Sequence, residues 1–148
     1  MDQGPTRRLP TEEAIVLSMV EASRWIAIVD DDPSVLKALT RLLRTRAFQT
    51  KAYGSGQEFL AALPDGLPEC LILDLQMPEM TGLELQQQLT RRGIQIPTIV
   101  ITGHGDIGMR ERCECAGAIA FLSKPVQDTS LFAAINDAGA ISRNSIEP

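Results

Sequence analysis

The chain has 148 residues, 44% of them hydrophobic, and its formal net charge at pH 7 is -5. This length suits a single domain, and the hydrophobic content is sufficient for a buried core. The acidic balance argues against a nucleic-acid-binding surface, because such surfaces use clustered Lys and Arg to neutralise phosphates.

Residues 1–24 are predicted to form an N-terminal extension. Thr11-Glu12-Glu13 has the hydroxyl cap and first-turn acids of a helix start, so a short helix is expected over about 12–21. It could pack on the domain or on a second copy of the chain, or it could fray. The chain has no run of ~20 apolar residues, and acids flank the apolar segment 14–20. We therefore expect neither a membrane span nor a signal peptide. The protein is expected to be cytoplasmic.

From Trp25 onward, short apolar runs alternate with helical patterns. Near-continuous apolar runs between turn residues are typical of strands buried on both faces of a parallel sheet. Five strands are expected, ending at Asp30, Tyr53, Asp74, Thr102 and Ser123. Five helices are expected, one beginning at Pro33 and the others near 57–63, 82–91, 106–116 and 128–138. The alternation implies parallel pairing in one domain over 25–139, followed by a C-terminal tail over 140–148.

Four of the predicted strands are followed by polar residues of different kinds: Asp30 and Asp31, Asp74, Thr102, and Lys124. Ligands of open α/β sheets bind at the carboxyl ends of the strands, so these side chains are expected to share one site. Three carboxylates forced together favour a hard cation, and Mg²⁺ is the natural candidate. A carboxylate beside Mg²⁺ can act as a nucleophile towards phosphorus, and a lysine suits phosphate.

Each of these residues also has a simpler explanation on its own. The acids at 30–32 could form a turn and a helix cap, and Thr102 and Lys124 could merely precede turns. Asp74 is harder to explain in this way, because an acid within an apolar run is costly unless it is satisfied. The occurrence of polar residues at four strand ends favours the shared site.

In combination and order, the motifs around these strand ends resemble those of response-regulator receiver domains of two-component signalling. The motifs are Ile28-Val29-Asp30-Asp31-Asp32, Asp74-Leu75-Gln76-Met77-Pro78-Glu79-Met80-Thr81-Gly82, Ile101-Thr102-Gly103 and Lys124-Pro125. The chain is similar in particular to the receivers of nitrogen-fixation and LuxR-type transcriptional regulators. The resemblance covers 24–138 and implies a flavodoxin-like (βα)5 fold, with a doubly wound parallel five-stranded sheet of order 2-1-3-4-5.

The resemblance implies that Asp74 is the phosphoacceptor, which takes a phosphoryl group from a phosphohistidine of a sensor kinase. It also implies a Mg²⁺ site made by the carboxylates of Asp30, Asp31 and Asp74 and by the main-chain carbonyl of Gln76. A phosphotransfer protein is the alternative phosphoryl donor.

The resemblance further implies which residues bind the phosphoryl group and how the protein responds to it. Thr102, the amide of Gly103 and Lys124 would bind the phosphoryl oxygens, and Phe121 would be the switch aromatic that turns inward with the threonine. Because these groups bind the new charge only in the active arrangement, phosphorylation would shift a pre-existing equilibrium. The surface of the fourth helix, fifth strand and fifth helix would then change its partner preference.

Two further positions are implied to tune the lifetime of the phosphoryl group. Gln76 and His104 match variable residues that flank the site in this family. We expect substitution of either residue to change the dephosphorylation rate more than metal binding.

Two interpretations of how the signal is passed on are left open. The chain is either a stand-alone phosphorelay module or the receiver of a longer transcriptional regulator. The second interpretation implies a homodimer on phosphorylation, with no nucleic-acid binding by this chain. An alternative of another class is a Mg²⁺-dependent phosphohydrolase that passes through an aspartyl phosphate, as in haloacid-dehalogenase-type phosphatases. Those enzymes carry a second acid two residues after the nucleophile, where this chain has Gln76. We therefore expect a signalling protein that catalyses only its own phosphorylation and dephosphorylation.

Overall fold

The sheet carries five parallel strands in the order β2-β1-β3-β4-β5, as predicted. A computed structural model describes residues 11–12, 25–103 and 107–146. The strands are β1 (Trp25–Val29), β2 (Gln49–Tyr53), β3 (Cys70–Asp74), β4 (Thr98–Thr102) and β5 (Ala118–Ser123). Apart from residue 12, the helix expected over 12–21 lies outside the described residues.

Five α-helices connect and follow these strands within the described ranges. They are α1 (Pro33–Arg44), α2 (Gly56–Ala62), α3 (Gly82–Arg91), α4 (Ile107–Cys115) and α5 (Asp128–Ile146), with a short 3-10 helix at Leu63–Asp65. The bounds of the strands and of the first four helices agree closely with the prediction. No helix in the described part of the chain is both long and apolar enough to cross a membrane.

The last helix is longer than predicted. It continues to Ile146, so residues 140–146, which were assigned to a C-terminal tail, are helical. Gly139 does not end the helix, because a glycine inside a helix costs only about 1 kcal/mol relative to alanine. The division of the chain at 24 and 139 otherwise stays a prediction.

Apolar layers cover both faces of the sheet. Successive side chains along a strand point to opposite faces. In β3, Ile72 packs with residues of α1 and α5, whereas Leu71 and Leu73 pack with residues of α2 and α3. β1, β3 and β4 are buried at every position. This burial on both faces is the reason that these strands read as nearly continuous apolar runs.

Two helices begin immediately beyond the polar strand ends, and local hydrogen bonds fix both starts. Asp32 caps α1, with its Oδ1 accepting from the backbone N of Ser34 at 2.9 Å. Thr81 and Glu84 form a capping box at α3, with bonds of 3.1 Å and 3.0 Å between side chain and backbone. The chain is therefore held in defined positions just after Asp30 and Asp74.

Candidate functional site

The carboxyl edge of the sheet gathers the polar residues that the sequence singled out. Asp30 and Thr102 are completely buried, and Asp74 is 3% exposed. One carboxylate oxygen from each of Asp30, Asp31 and Asp74 lies within 4.8 Å of the other two. The structure thus brings together the three predicted carboxylates, and of these Asp31 is the exposed one.

Asp30 is held through three contacts from different parts of the chain. Its backbone N donates to the carbonyl of Tyr53 at 3.1 Å, which ties the end of β1 to the end of β2. Its Oδ1 accepts from the backbone N of Asp32 at 2.9 Å. Its Oδ2 lies 3.2 Å from Nζ of Lys124. The orientation of the carboxylate is consequently fixed by backbone and side-chain partners.

Asp74 is positioned by a tight backbone approach at the end of β3. The backbone N of Gly82 donates to the carbonyl of Leu75 at 2.9 Å. A Cβ at position 82 would lie 2.5 Å from the backbone oxygen of Asp74. Since only glycine avoids this overlap with the backbone, Gly82 allows α3 to begin directly against the residue that carries the carboxylate.

Burial raises the pKa of the Asp74 carboxyl group to about 6, and repulsion from Asp30 acts in the same direction. Attraction and a hydrogen bond from Lys124, together with a hydrogen bond from the backbone N–H of Gln76, oppose this rise. A buried carboxyl group beside a second carboxylate favours protonation or a cation as a partner. The raised pKa indicates that Lys124 does not fully compensate the buried charge of Asp74.

Lys124 supplies the positive charge between the two buried acids. Its Nζ lies 3.2 Å from Asp30 Oδ2 and 3.2 Å from Asp74 Oδ1. Partial burial acts to lower the pKa of Lys124, but the hydrogen bonds and attraction of Asp30 and Asp74 raise it overall. Its backbone N donates to the carbonyl of Thr102 at 2.8 Å, which ties the lysine to the end of β4.

The donor set fits a hard divalent cation. Three carboxylates contribute acceptor oxygens, while Lys124 neutralises only part of their charge. Mg²⁺ prefers oxygen ligands and is commonly held by one or two carboxylates, with waters and phosphate oxygens completing its shell. Gln76 follows Asp74 by two residues and its side chain is exposed; its predicted metal ligand is the backbone carbonyl.

The other predicted residues lie around this cluster. Gly103 is exposed at the end of β4. Phe121 is half-buried in β5 and packs against a cluster that contains Leu83, Val100 and Cys113. His104 lies in residues 104–106, outside the described residues, and its role stays a prediction.

Sequence reasoning missed the contribution of Tyr53, whose backbone carbonyl holds Asp30. No sequence signal could have identified it, because every residue carries a carbonyl. It also did not identify the packing of Gly56 against Met80, which joins the β2–α2 turn to the loop after Asp74. That contact depends on tertiary structure.

Comparison with known proteins identifies one family. The model of the response regulator receiver domain family matches residues 26–136. The response regulator protein TmoT of Ectopseudomonas mendocina is 46% identical over 113 residues, which cover 76% of this chain and 51% of TmoT. The transcriptional regulatory protein FixJ of Rhizobium meliloti is 43% identical over 113 residues, which cover 76% of this chain and 55% of FixJ. The chain thus spans about half the length of these curated relatives.

Solved structures agree with this result. A crystal structure of FixJ-N superposes with a TM-score of 0.73 at 42% identity, covering 79% of this chain and 94% of that one. The response regulator StyR superposes with a TM-score of 0.76 at 40% identity, covering 83% of this chain and 62% of that one.

Proposed function

The chain belongs to the response regulator receiver domain family, and on that premise we propose that it is a phosphorylation-activated switch with Asp74 as its phosphoacceptor. The observation that carries the assignment is the position of Asp74. Its buried carboxyl group lies at a strand end within reach of two other carboxylates and one ammonium group. A pKa of about 6 leaves Asp74 mostly ionised at pH 7, as a nucleophile must be.

The proposed cofactor is Mg²⁺, held by the carboxylates of Asp30, Asp31 and Asp74 and by the backbone carbonyl of Gln76. The clustering of the three carboxylates supports this set. When bound, the cation would neutralise the charge that develops on the oxygens of a transferring phosphoryl group. The residues of the chain would orient the acceptor oxygen.

In the proposed transfer, an Asp74 oxygen attacks the phosphorus of a phosphohistidine on a sensor kinase or a phosphotransfer protein. The O–P bond forms as the N–P bond breaks, and the imidazole of the donor leaves. Lys124 would then pair with a phosphoryl oxygen, while Thr102 and the amide of Gly103 would donate hydrogen bonds to others. Support comes from the position of Lys124, whose ammonium already contacts Asp74.

The proposed output is a change in the surface made by α4, β5 and α5. A phosphoryl group would replace the single carboxylate charge of Asp74 with about -1.5 to -2 charges at pH 7, and a rearranged Thr102 and Lys124 would bind its oxygens. Phe121 lies in β5 and packs beside α4, so an inward turn of its ring would alter this surface. Differential binding of the charge in two arrangements is sufficient to shift their populations.

We assign the switch to signalling in the cytoplasm, as for two-component regulators, with a sensor kinase as the upstream partner. Relatives that are transcriptional regulators favour a role in a longer regulator, with phosphorylation-dependent homodimerisation and no direct nucleic-acid contact by this chain. A stand-alone relay module would instead bind another signalling protein. Gln76 and His104 are proposed to set the lifetime of the phosphoryl group.

The proposal is tested by incubating the protein with acetyl phosphate and Mg²⁺ and measuring covalent phosphate by intact-mass spectrometry. We expect about one phosphoryl group per chain, none on Asp74→Asn, and none on wild type in excess EDTA. Asp137→Asn, the same substitution at an exposed position on α5, is the matched control and should label normally.

Two results would contradict this assignment. Labelling of Asp74→Asn at the wild-type level would place the acceptor elsewhere. Steady turnover of a small phosphoester would support the phosphohydrolase instead, an alternative that the family match does not favour.

A further inference from the structure

The turn between β2 and α2 contacts the backbone of Asp30 and the loop that follows Asp74, but it contributes no charged group to the acidic cluster. We call residues 53–56 the β2–α2 corner. At one end of the corner, the carbonyl of Tyr53 accepts from the backbone N of Asp30 at 3.1 Å. At its other end, Gly56 faces Met80, which belongs to the loop that follows Asp74. The corner therefore lies between the backbone that carries one acid and the loop that follows the other.

The space between Gly56 and Met80 is too small for an unshifted Cβ at position 56. A Cβ at position 56 would lie 2.8 Å from Sδ and 3.4 Å from Cγ of Met80, and 3.6 Å from Cδ1 of Leu85. Gly56 is buried as the first residue of α2, and its backbone is not in the left-handed region. A side chain at position 56 would therefore have to displace the Met80 side chain.

The loop that carries Met80 is closed by its own backbone. The N of Gly82 donates to the carbonyl of Leu75 at 2.9 Å, and the N of Met80 approaches the carbonyl of Pro78 at 2.7 Å. Glu79 adopts a φ of 67°, a conformation that costs a non-glycine residue free energy. Because the loop is constrained in these ways, we expect a displacement of Met80 to shift the backbone towards Gln76 as well.

We propose that Gly56 and Met80 are positioning residues for the cation site, and that their contact fixes the Gln76 carbonyl relative to Asp30 and Asp74. This inference rests on the proposed function, because it assumes that the Gln76 carbonyl is a ligand. The side chains of Met80 and Tyr53 pack against the same apolar cluster. This cluster therefore supports both the residue that holds the Asp30 backbone and the loop that follows Asp74. Groups that hydrogen-bond to metal ligands affect metal affinity by about 10–100-fold, and a packing contact that positions a ligand acts less directly, so the lower end of this range is expected.

The experiment measures Mg²⁺ affinity by titration calorimetry for Gly56→Ala, Met80→Ala and the double variant. Gly56→Ala pushes Met80 away and Met80→Ala removes the anchor, so each should weaken Mg²⁺ binding about tenfold. In the double variant the added methyl group occupies space that the methionine has left. Its affinity should therefore return to within about threefold of wild type, as expected for residues in contact.

Two controls separate positioning from general stability. Gly54→Ala adds a methyl group in the same corner, where the nearest atom would be Oε2 of Glu58 at an ordinary 3.5 Å, so Mg²⁺ affinity should not change. Leu60→Ala removes buried apolar volume from α2. It should lower the unfolding midpoint but leave Mg²⁺ affinity unchanged at temperatures where the protein is fully folded.

The outcomes separate the two proposals. If wild type binds no Mg²⁺, the proposed function itself fails. If wild type binds Mg²⁺ and both single variants bind it equally well, the positioning role is wrong. Weakening by Leu60→Ala as large as that by Gly56→Ala would also overturn the positioning role, because affinity would then follow stability alone.

Discussion

The middle of the sheet and its carboxyl edge differ in how fully their side chains are compensated. In the middle, the side chains of β1 and β3 are apolar and packed from both faces. One residue further along, Asp30 and Asp74 are just as buried but share a single ammonium group. The same strands thus stabilise the fold in the middle of the sheet and place an incompletely neutralised negative charge at its carboxyl edge.

This contrast indicates how a stable fold can include a site whose free energy depends on protonation, cation binding or covalent modification. Burial stabilises apolar groups and destabilises ionised ones, so the same environment that stabilises the core raises the pKa of Asp74. A cation or a new covalent group at the edge would therefore change the free energy of that edge. The predictions that follow alter one region at a time.

The largest effect is expected in the middle of the sheet. Ile72 is completely buried in β3, and Ile72→Ala should lower the free energy of unfolding by about 2–5 kcal/mol. Chemical denaturation measures this loss. Leu67→Ala is the control, because Leu67 is 45% exposed and its truncation should cost less than about 0.5 kcal/mol. Equal losses for the two variants would contradict the assignment of Ile72 to the core.

At the carboxyl edge, by contrast, Asp74→Asn should stabilise the metal-free protein. The folded-state pKa of Asp74 is raised from 3.8 to about 6, so the folded state binds the proton more tightly than the unfolded state does. The contribution of Asp74 to stability is therefore most favourable below pH 4, declines as pH rises from about 4 to 6, and stays low above this range. Asp74→Asn removes this decline and should stabilise the metal-free protein by about 1–3 kcal/mol at pH 7.

Denaturation in EDTA at several pH values tests this sign. The difference between Asp74→Asn and wild type should be near zero at pH 4 and should grow to its full size by pH 7. A variant that is less stable than wild type at pH 7 would show that Lys124 compensates Asp74 fully, contrary to the raised pKa.

A smaller effect is expected when the compensating charge is removed. Lys124→Gln leaves Asp30 and Asp74 without their ammonium partner, so a divalent cation should bind more tightly, by about tenfold. Titration calorimetry with Mg²⁺ measures this change, and Lys37→Gln on the exposed face of α1 is the matched control. Weaker binding by Lys124→Gln would indicate that the lysine organises the carboxylates instead of competing with the cation.

The smallest effect concerns strain outside both regions. Ala47 has a φ of 62° in the turn between α1 and β2, and glycine adopts this conformation without a steric penalty. Ala47→Gly should raise the free energy of unfolding by about 0.5–1 kcal/mol and leave Mg²⁺ affinity unchanged. A thermal melt in EDTA and a Mg²⁺ titration test the two parts. Destabilisation by the glycine would mean that the turn is not strained at this residue.

Local patterns were sufficient to predict most of the architecture. The runs that end at Asp30, Asp74 and Thr102 are buried strands, because fully buried strands must be apolar on both faces. Asp32, one of the acids that the sequence offered as a helix cap, begins α1 as a capping residue does. The capping box of Thr81 at α3 was not predicted. The end of α5 was predicted wrongly, because Gly139 is a weak local signal that the continuing helix overrides.

By itself, the sequence determined which polar residues follow the strands, and therefore which side chains meet at one edge of a parallel sheet. The tertiary structure decided the 3.2 Å contacts of Lys124 with both acids, the burial that raises the pKa of Asp74, and the packing of Met80 against Gly56. These features join elements far apart in the chain. Their strength depends on distance and solvent exposure, which periodicity does not encode.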